Sequence, residues 1–451
     1  MILMGGIAGI AESGMRNEVN RMLDKIAHRG HAARKVIEFD NATLGAVYTE
    51  VQKEQIDSLE KDKTASDFVA DGHYAYAKIL NDGLFLERDQ LGVSSLYYGH
   101  TENEALCFAS EVKALIEFTN DIHEFPPGHR YISNKTESYY KLEKQKPLDV
   151  DPDNIASELY KRLEISVSGF VVGHDPIGVW LSGGLDSSTM ASFARPLVRK
   201  LHTFSAGFPD SPDLVHARIM AEHIESDHHE TIVNLDDLLS ALPDVIYHLE
   251  SFDALLVRSS IANFLVSQDA ARHVAAVLSG EGGDELFAGY TYLKSLDQAE
   301  LDNELIDITG RLHNTALQRV DRSASAHGTV AHVGFLDPKV VDYALQIPAK
   351  YKISKNVEEW ILRKAMTEKL PTQILNRKKA KFWFGSGIDI CLQQYAEAQI
   401  DNQEFERFRK LPSGLILNTK EEFMYYRIFR KFFKDIDNLS WMGRTKGAPK
   451  Q

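Results

Sequence analysis

The chain has 451 residues, more than one hydrophobic core usually supports, so two domains are expected. Hydrophobic residues at 43% and charged residues at 26% give the balance of a water-soluble globular protein. A formal net charge of −14, with a single short basic cluster from Arg377 to Lys381, argues against broad nucleic-acid or membrane-surface contact. Two distant cysteines, Cys107 and Cys391, exclude a disulfide framework and fit a reducing, cytoplasmic setting. The opening MILMGGIAGIAESGM has a short apolar run and no basic lead-in, which predicts a buried first strand rather than a signal peptide. No apolar stretch reaches the roughly 18 residues that a membrane span requires.

From Ile7 to about Tyr140 short apolar runs alternate with turn signals: ATLGAVY (Ala42 to Tyr48), HYAYAKIL (His73 to Leu80), GLFLERD (Gly83 to Asp89) and LYYGH (Leu96 to His100). Breaks at Asn81-Asp82-Gly83 and around Asn103 suit hairpins. Helices are expected only over Arg16–His28 and Val112–Phe118, so residues 1–150 read as a β-rich α+β domain. A polar linker, Lys141 to Asn154, then changes the composition. Over residues 151–451 helical periodicity from Ile155 to Val167 precedes the continuous apolar run Ile177–Leu181, a buried parallel strand. Strands near Leu201–Ala206, Glu230–Val233 and Val274–Leu278 alternate with helices, which predicts a doubly wound parallel α/β sheet. Beyond about Leu293 the pattern is mostly helical.

LSGGLDSS, Leu181 to Ser188, follows a predicted strand and opens a helix. Its glycines Gly183 and Gly184 let the backbone turn close to an anion, and the helix start offers free N–H groups. Hydroxyls of Ser182, Ser187 and Ser188 can add hydrogen bonds to phosphate, and Asp186 makes sense there as a Mg²⁺ ligand. A second loop, LSGEGGDELFAGY (Leu278 to Tyr290), also leaves a strand end, so both loops are expected to face one crevice. Glu281, Asp284 and Glu285 crowd there, which is costly unless cations share the field or one acid stays protonated.

Together these loops resemble the asparagine synthetase family, with further matches at HTFSAGFPDSPDL (from His202), VIYHLESFDALLVRSS (from Val245), GFLD (from Gly334), ILRKA (from Ile361), NRKKAKF (from Asn376) and EEFMYYRIFRKFF (from Glu421). The match spans nearly all of residues 155–435. It implies a PP-loop ATPase (adenine nucleotide alpha hydrolase-like) domain with a helical extension, preceded by an Ntn-hydrolase-like glutaminase domain. It also implies ATP and Mg²⁺ as cofactors, with Asp186 and Asp284 as metal ligands and Lys379 neutralising charge on the phosphates. Leu181, Ser205, Ser279 and Gly280 would line the nucleotide pocket with the loop residues already named. Glu281 falls on the family glutamate that handles the proton as ammonia attacks; related β-lactam-forming synthetases carry tyrosine there.

Family members begin with a cysteine nucleophile, within Met-Cys-Gly-Ile-Ala-Gly-Ile, that hydrolyses glutamine. Here Gly5 stands in its place, in Met4-Gly5-Gly6-Ile7-Ala8-Gly9-Ile10, and Cys107 reads as a core residue. The family's Arg-Gly-Pro-Asp appears as Arg29-Gly30-His31-Ala32, while scaffold motifs such as ERDQLGVSSLYY (Glu87 to Tyr98) remain. The N-terminal domain is therefore expected to be a degenerate glutaminase. Ammonia or another amine would come from solution or from a separate supplying partner, and a homodimer would also fit. In the stretch Val320 to Asp337, Asp321 and Arg322 match the family, whereas Val330, His332 and Gly334 replace its Glu, Arg and Pro. If that lost pair positions the acceptor acid, the acid is not aspartate or is held differently; replacement of a structural ion pair by apolar packing is the alternative. The expected activity is an AMP-forming carbon–nitrogen ligase joining a carboxylic acid to ammonia or an amine. An intramolecular lactam-forming enzyme and a nucleotide-binding pseudoenzyme subunit stay open.

Overall fold

The computed structural model describes residues 2–3, 5–50, 52, 72–80, 83–209, 211–378, 388–434, 436 and 438–446. In its first part, strands β1 (Ile2–Leu3), β2 (Gly6–Ile10), β3 (Ala33–Phe39), β4 (Ala42–Tyr48), β5 (Ala75–Leu80) and β6 (Gly83–Arg88) are followed by β7 (Tyr97–His100), β8 (Leu106–Ala109), β9 (His123–Glu124), β10 (His129–Ile132) and β11 (Lys135–Ser138). They form two antiparallel sheets, ordered β3-β4-β2-β8-β7-β9 and β1-β5-β6-β10-β11. Ile7, Leu44, Ala77, Leu86 and Phe108 make the core between them. Ala8 and Ile10 point the other way, onto Val19, Met22 and Leu23 of helix α1 (Arg16–Lys25). Both faces of β2 are thus buried, which is why it reads as an unbroken apolar run.

A parallel sheet follows, from β12 (Ile177–Trp180), β13 (Leu201–Gly207), β14 (Asp227–Ile232), β15 (Ala276–Ser279) and β16 (Val330–Val333). Its order is β14-β13-β12-β15-β16, every pairing parallel. The chain winds outward through β13 and β14, then returns to the other side of β12 as β15. The switch point therefore lies between β12 and β15, where a ligand crevice is expected at the strands' carboxyl ends. Helices α2 (Pro152–Val171), α3 (Leu185–Ala194) and α4 (Pro212–His223) share a core with the strands through Leu159, Met190, Met220 and Val277. Helices α5 (Leu235–Leu249) and α6 (Ala254–Ala270) join a second core with α1 through Leu238, Ile261 and Val19. Beyond the short α7 (Gly283–Phe287) come α8 (Gln298–Gly310), α9 (Ala316–Ser325), α10 (Pro338–Gln346) and, after a further turn, α11 (Trp360–Ala365). No helix among the described residues is long and apolar enough to cross a membrane.

The α/β and α+β classes expected from the sequence are both present, with three local differences. Val112–Phe118 holds only a 3₁₀ turn, Val112–Ala114, whose first two amides, of Val112 (2.9 Å) and Lys113 (2.7 Å), donate to the Glu250 carboxylate. Helix α2 begins inside the expected linker, at Pro152, since Asp151 accepts from the amides of Asp153 and Asn154, both at 3.0 Å, and proline suits the first turn. Strand β16 interrupts the region read as helical; four residues, one of them histidine, carry too little periodicity to announce it.

Candidate active site

The loop leaving β12 is shaped by its own sequence. Gly183 has φ +68°, and a Cβ there would come within 2.4 Å of the α4 backbone at His216 and Ala217. Ser187 Oγ accepts from the Ser182 amide at 3.2 Å, and Ser182 Oγ accepts from the Gly184 amide at 3.3 Å. Arg377 fixes the loop from outside, donating to the Ser182 carbonyl at 2.8 Å while pairing with Asp213. These contacts order the turn so that the first residues of α3 face a cavity.

The acidic loop leaving β15 lies directly against it. A Cβ on Gly280 would stand 2.7 Å from the Ser187 nitrogen, and one on Gly283 would stand 2.2 Å from Asp186 Oδ1. Only glycine permits this approach. Carboxylate oxygens of Asp186, Asp284 and Glu359 consequently lie within 4.8 Å of one another. The cavity between the loops has a volume of about 260 Å³. Leu181, Ser182, Gly184, Asp186, Ser187, Ser205, Ser279, Gly280, Glu281 and Asp284 all line it. Gly183 does not, because it turns toward α4. Ser188, offered as a further hydroxyl, is fully buried in α3 and is not on the wall either. Lys379 lies outside the described residues; its neighbours Arg377 and Lys378 line the cavity.

Of the three crowded acids, Glu285 alone is buried. Burial and the nearby Asp284 and Glu281 push its carboxyl up to about 8, and the Tyr290 hydroxyl bonds to it. Glu281 instead pairs with Arg319 of α9. Arg319 Nε is buried with no hydrogen-bond partner among the described residues. Glu359, fully buried in a left-handed conformation just ahead of α11, was not legible as a site residue, nor was Arg319. Neither sits in a glycine loop, and tertiary packing alone brings them in. The NRKKAKF run was the one sequence signal for Arg377.

The N-terminal region contrasts with this crevice. A Cβ at Gly5 (φ +137°) would lie 2.2 Å from the Val47 carbonyl oxygen and 3.0 Å from Gln52 Oε1, so that backbone admits no side chain. Arg29 Nε donates to the Gly5 carbonyl at 2.8 Å, and its other nitrogens reach Asp321 (2.6 and 2.9 Å) and Glu111 (2.8 Å). Arg322 pairs with Glu111 (2.7 Å) and Glu250 (3.1 Å). Asp321 and Arg322 therefore tie the two parts of the chain together. Val330 and His332 line a second, smaller cavity of about 60 Å³ with Gly5, Arg29 and His73, away from the crevice wall. His332 stacks on Phe170 at 4.8 Å, and burial pushes its imidazole down to about 3. Cys107 is completely buried, and its thiol is pushed up to about 12.

The asparagine synthase family model matches residues 158–307 and 294–446, and a glutamine amidotransferase domain model matches residues 33–117. The chain is 34% identical to asparagine synthetase B [glutamine-hydrolyzing] of Escherichia coli, over 87% of this chain and 74% of that protein. It is 36% identical to a probable asparagine synthetase [glutamine-hydrolyzing] of Schizosaccharomyces pombe, over 78% of this chain and 70% of that one. It is 33% identical to the asparagine synthetase [glutamine-hydrolyzing] of Gallus gallus, over 84% and 75% respectively. The chain belongs to the asparagine synthase family and is a carbon–nitrogen ligase.

Proposed function

We propose that the protein uses ATP to adenylate a carboxylic acid and transfers the acyl group to ammonia or an amine, releasing AMP and pyrophosphate, without hydrolysing glutamine. One observation carries the reading: the glycine turn at 182–187 and the acidic loop at 279–285 meet around a single cavity at the sheet's switch point. The residues suit a magnesium nucleotide. The amides at the start of α3 offer a phosphate cradle, and the clustered Asp186 and Asp284 oxygens are the hard donors that Mg²⁺ prefers. Bound there, the metal would offset phosphate charge and the nucleotide would supply the adenylyl group.

The chain's own residues have separable tasks. The ordered Ser182 and Ser187 hydroxyls fix the turn, and Arg377 holds it against α4. Lys379 is assigned to neutralise charge growing on the phosphates. Glu281 would receive the proton the amine gives up on attack, and Arg319 sets the direction of that carboxylate. Residues 1–150 act as a degenerate glutaminase-like domain, because the nucleophile position has neither a thiol nor room for one.

Pyrophosphate–ATP exchange with a panel of carboxylic acids tests the proposal. Acid-dependent exchange, followed by amide formation with ammonia but not with glutamine, is expected. ATP binding without exchange for any acid would favour a nucleotide-binding subunit, and product formation without added amine would favour a lactam-forming enzyme. Glutamate release from glutamine would overturn the reading of Gly5.

A further inference from the structure

At the opposite end of the parallel sheet from the crevice, three histidines from separate segments converge. His202 lies at the start of β13, His229 on β14, and His273 in the loop between α6 and β15. One ring nitrogen from each lies within 4.8 Å of the others. His202 Nδ1 and His229 Nε2 are 2.9 Å apart, and Asp227 carboxylate oxygens stand 3.6 Å and 3.8 Å from those two nitrogens. We propose that His202, His229 and His273, with Asp227 as the adjacent carboxylate, form a binding site for a zinc-class divalent transition metal.

The donor set argues for the ion. Imidazoles with one carboxylate suit Zn²⁺, Co²⁺ or Ni²⁺, whereas Mg²⁺ prefers an all-oxygen set such as the one in the crevice. Tetrahedral zinc with bonds of about 2.0–2.1 Å sets its nitrogen ligands about 3.3 Å apart, so the His202–His229 pair needs to open by only a few tenths of an ångström. A proton shared between those two rings explains one contact alone. No hydrogen bond among the described residues joins His273 to either, although its ring centroid lies 4.2 Å from that of His229. Burial lowers the proton affinity of His202 and His229, which favours the neutral imidazole that ligates metal. His202 is buried and His273 exposed, so the site is anchored inside and open to an entering ion.

Lys200 competes for the carboxylate, at 2.9 Å from Asp227 Oδ2, so the three nitrogens form the core of the site and water or Asp227 completes it. The metal would cross-link two adjacent strands to the loop that leads into β15. Phe204 stacks on His229 at 4.9 Å and itself lines the crevice, giving the site a packed route to the nucleotide cavity.

Cobalt(II) titration of chelator-treated protein, without nucleotide, tests the assignment. An equimolar uptake is expected, with the visible absorption of a four-coordinate nitrogen-rich site, lost in His273→Ala and retained in Asp284→Asn. Zinc is expected to raise the Tm of the wild type and leave that of His273→Ala unmoved. Because His273 is an exposed loop residue, the metal-free Tm of His273→Ala shows whether the fold survives. Absence of the absorption in wild type, its survival in His273→Ala or its loss in Asp284→Asn would each overturn the proposal.

Discussion

Close backbone approaches do opposite things in the two regions of this molecule. In the parallel-sheet region, Gly280 and Gly283 bring two loops together, and the space above them becomes a cavity lined by acids and hydroxyls. In the antiparallel region, Gly5 brings β2's entry against the Val47 carbonyl, which leaves no room there for a side chain. Yet the scaffold around Gly5 is intact. Asp89 still accepts from the amides of Val93 and Ser94, both at 2.9 Å, and the fully buried Arg88 still donates to the carbonyls of Ser94 (2.7 Å) and Gly92 (3.0 Å). Side chains that build a fold surround a position that bears no nucleophile. The difference teaches that the antiparallel region is bound to the rest of the chain through the buried ions it shares with α9.

That comparison is most directly broken at Arg322. Its guanidinium sits between Glu111 and Glu250, all three essentially inaccessible to water. Arg322→Met should take one partner from each of two buried carboxylates, leaving Glu111 with Arg29 and Lys113 and Glu250 with Lys113 and two backbone amides, and cost about 3 kcal/mol in urea unfolding. Arg322→Lys should recover part of the loss. A cost near zero would mean that the shared ions do not hold the regions together.

Lys379→Ala addresses the other region. Turnover should fall by on the order of 10²–10³-fold or more with the fold unchanged, measured as pyrophosphate exchange and thermal melting. Near-normal exchange would remove Lys379 from the mechanism. Gly5→Cys then sharpens the contrast. A restored thiol should release no glutamate, and overpacking against Val47 should cost about 1–3 kcal/mol.

Much of the crevice could be read from the chain because strand, glycine turn and helix start are consecutive in LSGGLDSS and again in LSGEGGDE. Local order alone was enough to expect the two loops at one crevice, and Ser182, Gly184, Asp186, Ser187, Glu281 and Asp284 line it. Arg319 and Glu359 arrive from helices and turns far along the chain, and nothing in their own neighbours marks them. The same limit applies to β16, recognisable only once β15 is available to pair with it. Asp321 and Arg322 were legible as a family match, but their partners Arg29 and Glu111 lie nearly three hundred and just over two hundred residues away, a distance no periodicity spans.

His332 gives the smallest and most selective test. Its imidazole is packed on Phe170, near His174 and His73, and its Nε2 has no hydrogen-bond partner among the described residues. Burial lowers its folded-state value to about 3 from an ordinary 6.5, so the unfolded chain binds the extra proton in between. The stability this group contributes is complete above pH 6.5 and is lost as pH falls toward 3, at a slope of about 1.4 kcal/mol per pH unit. His332→Leu fills a similar volume without a titrating group. It should change stability little at pH 8 and flatten the fall between pH 6 and 4 by about that slope, read from urea unfolding at each pH. Because His174 is also held below its ordinary value by burial, some acid sensitivity should remain. An unchanged slope would mean that His332 protonates without disturbing its pocket, and that the small cavity between the two regions is wetter than its packing implies.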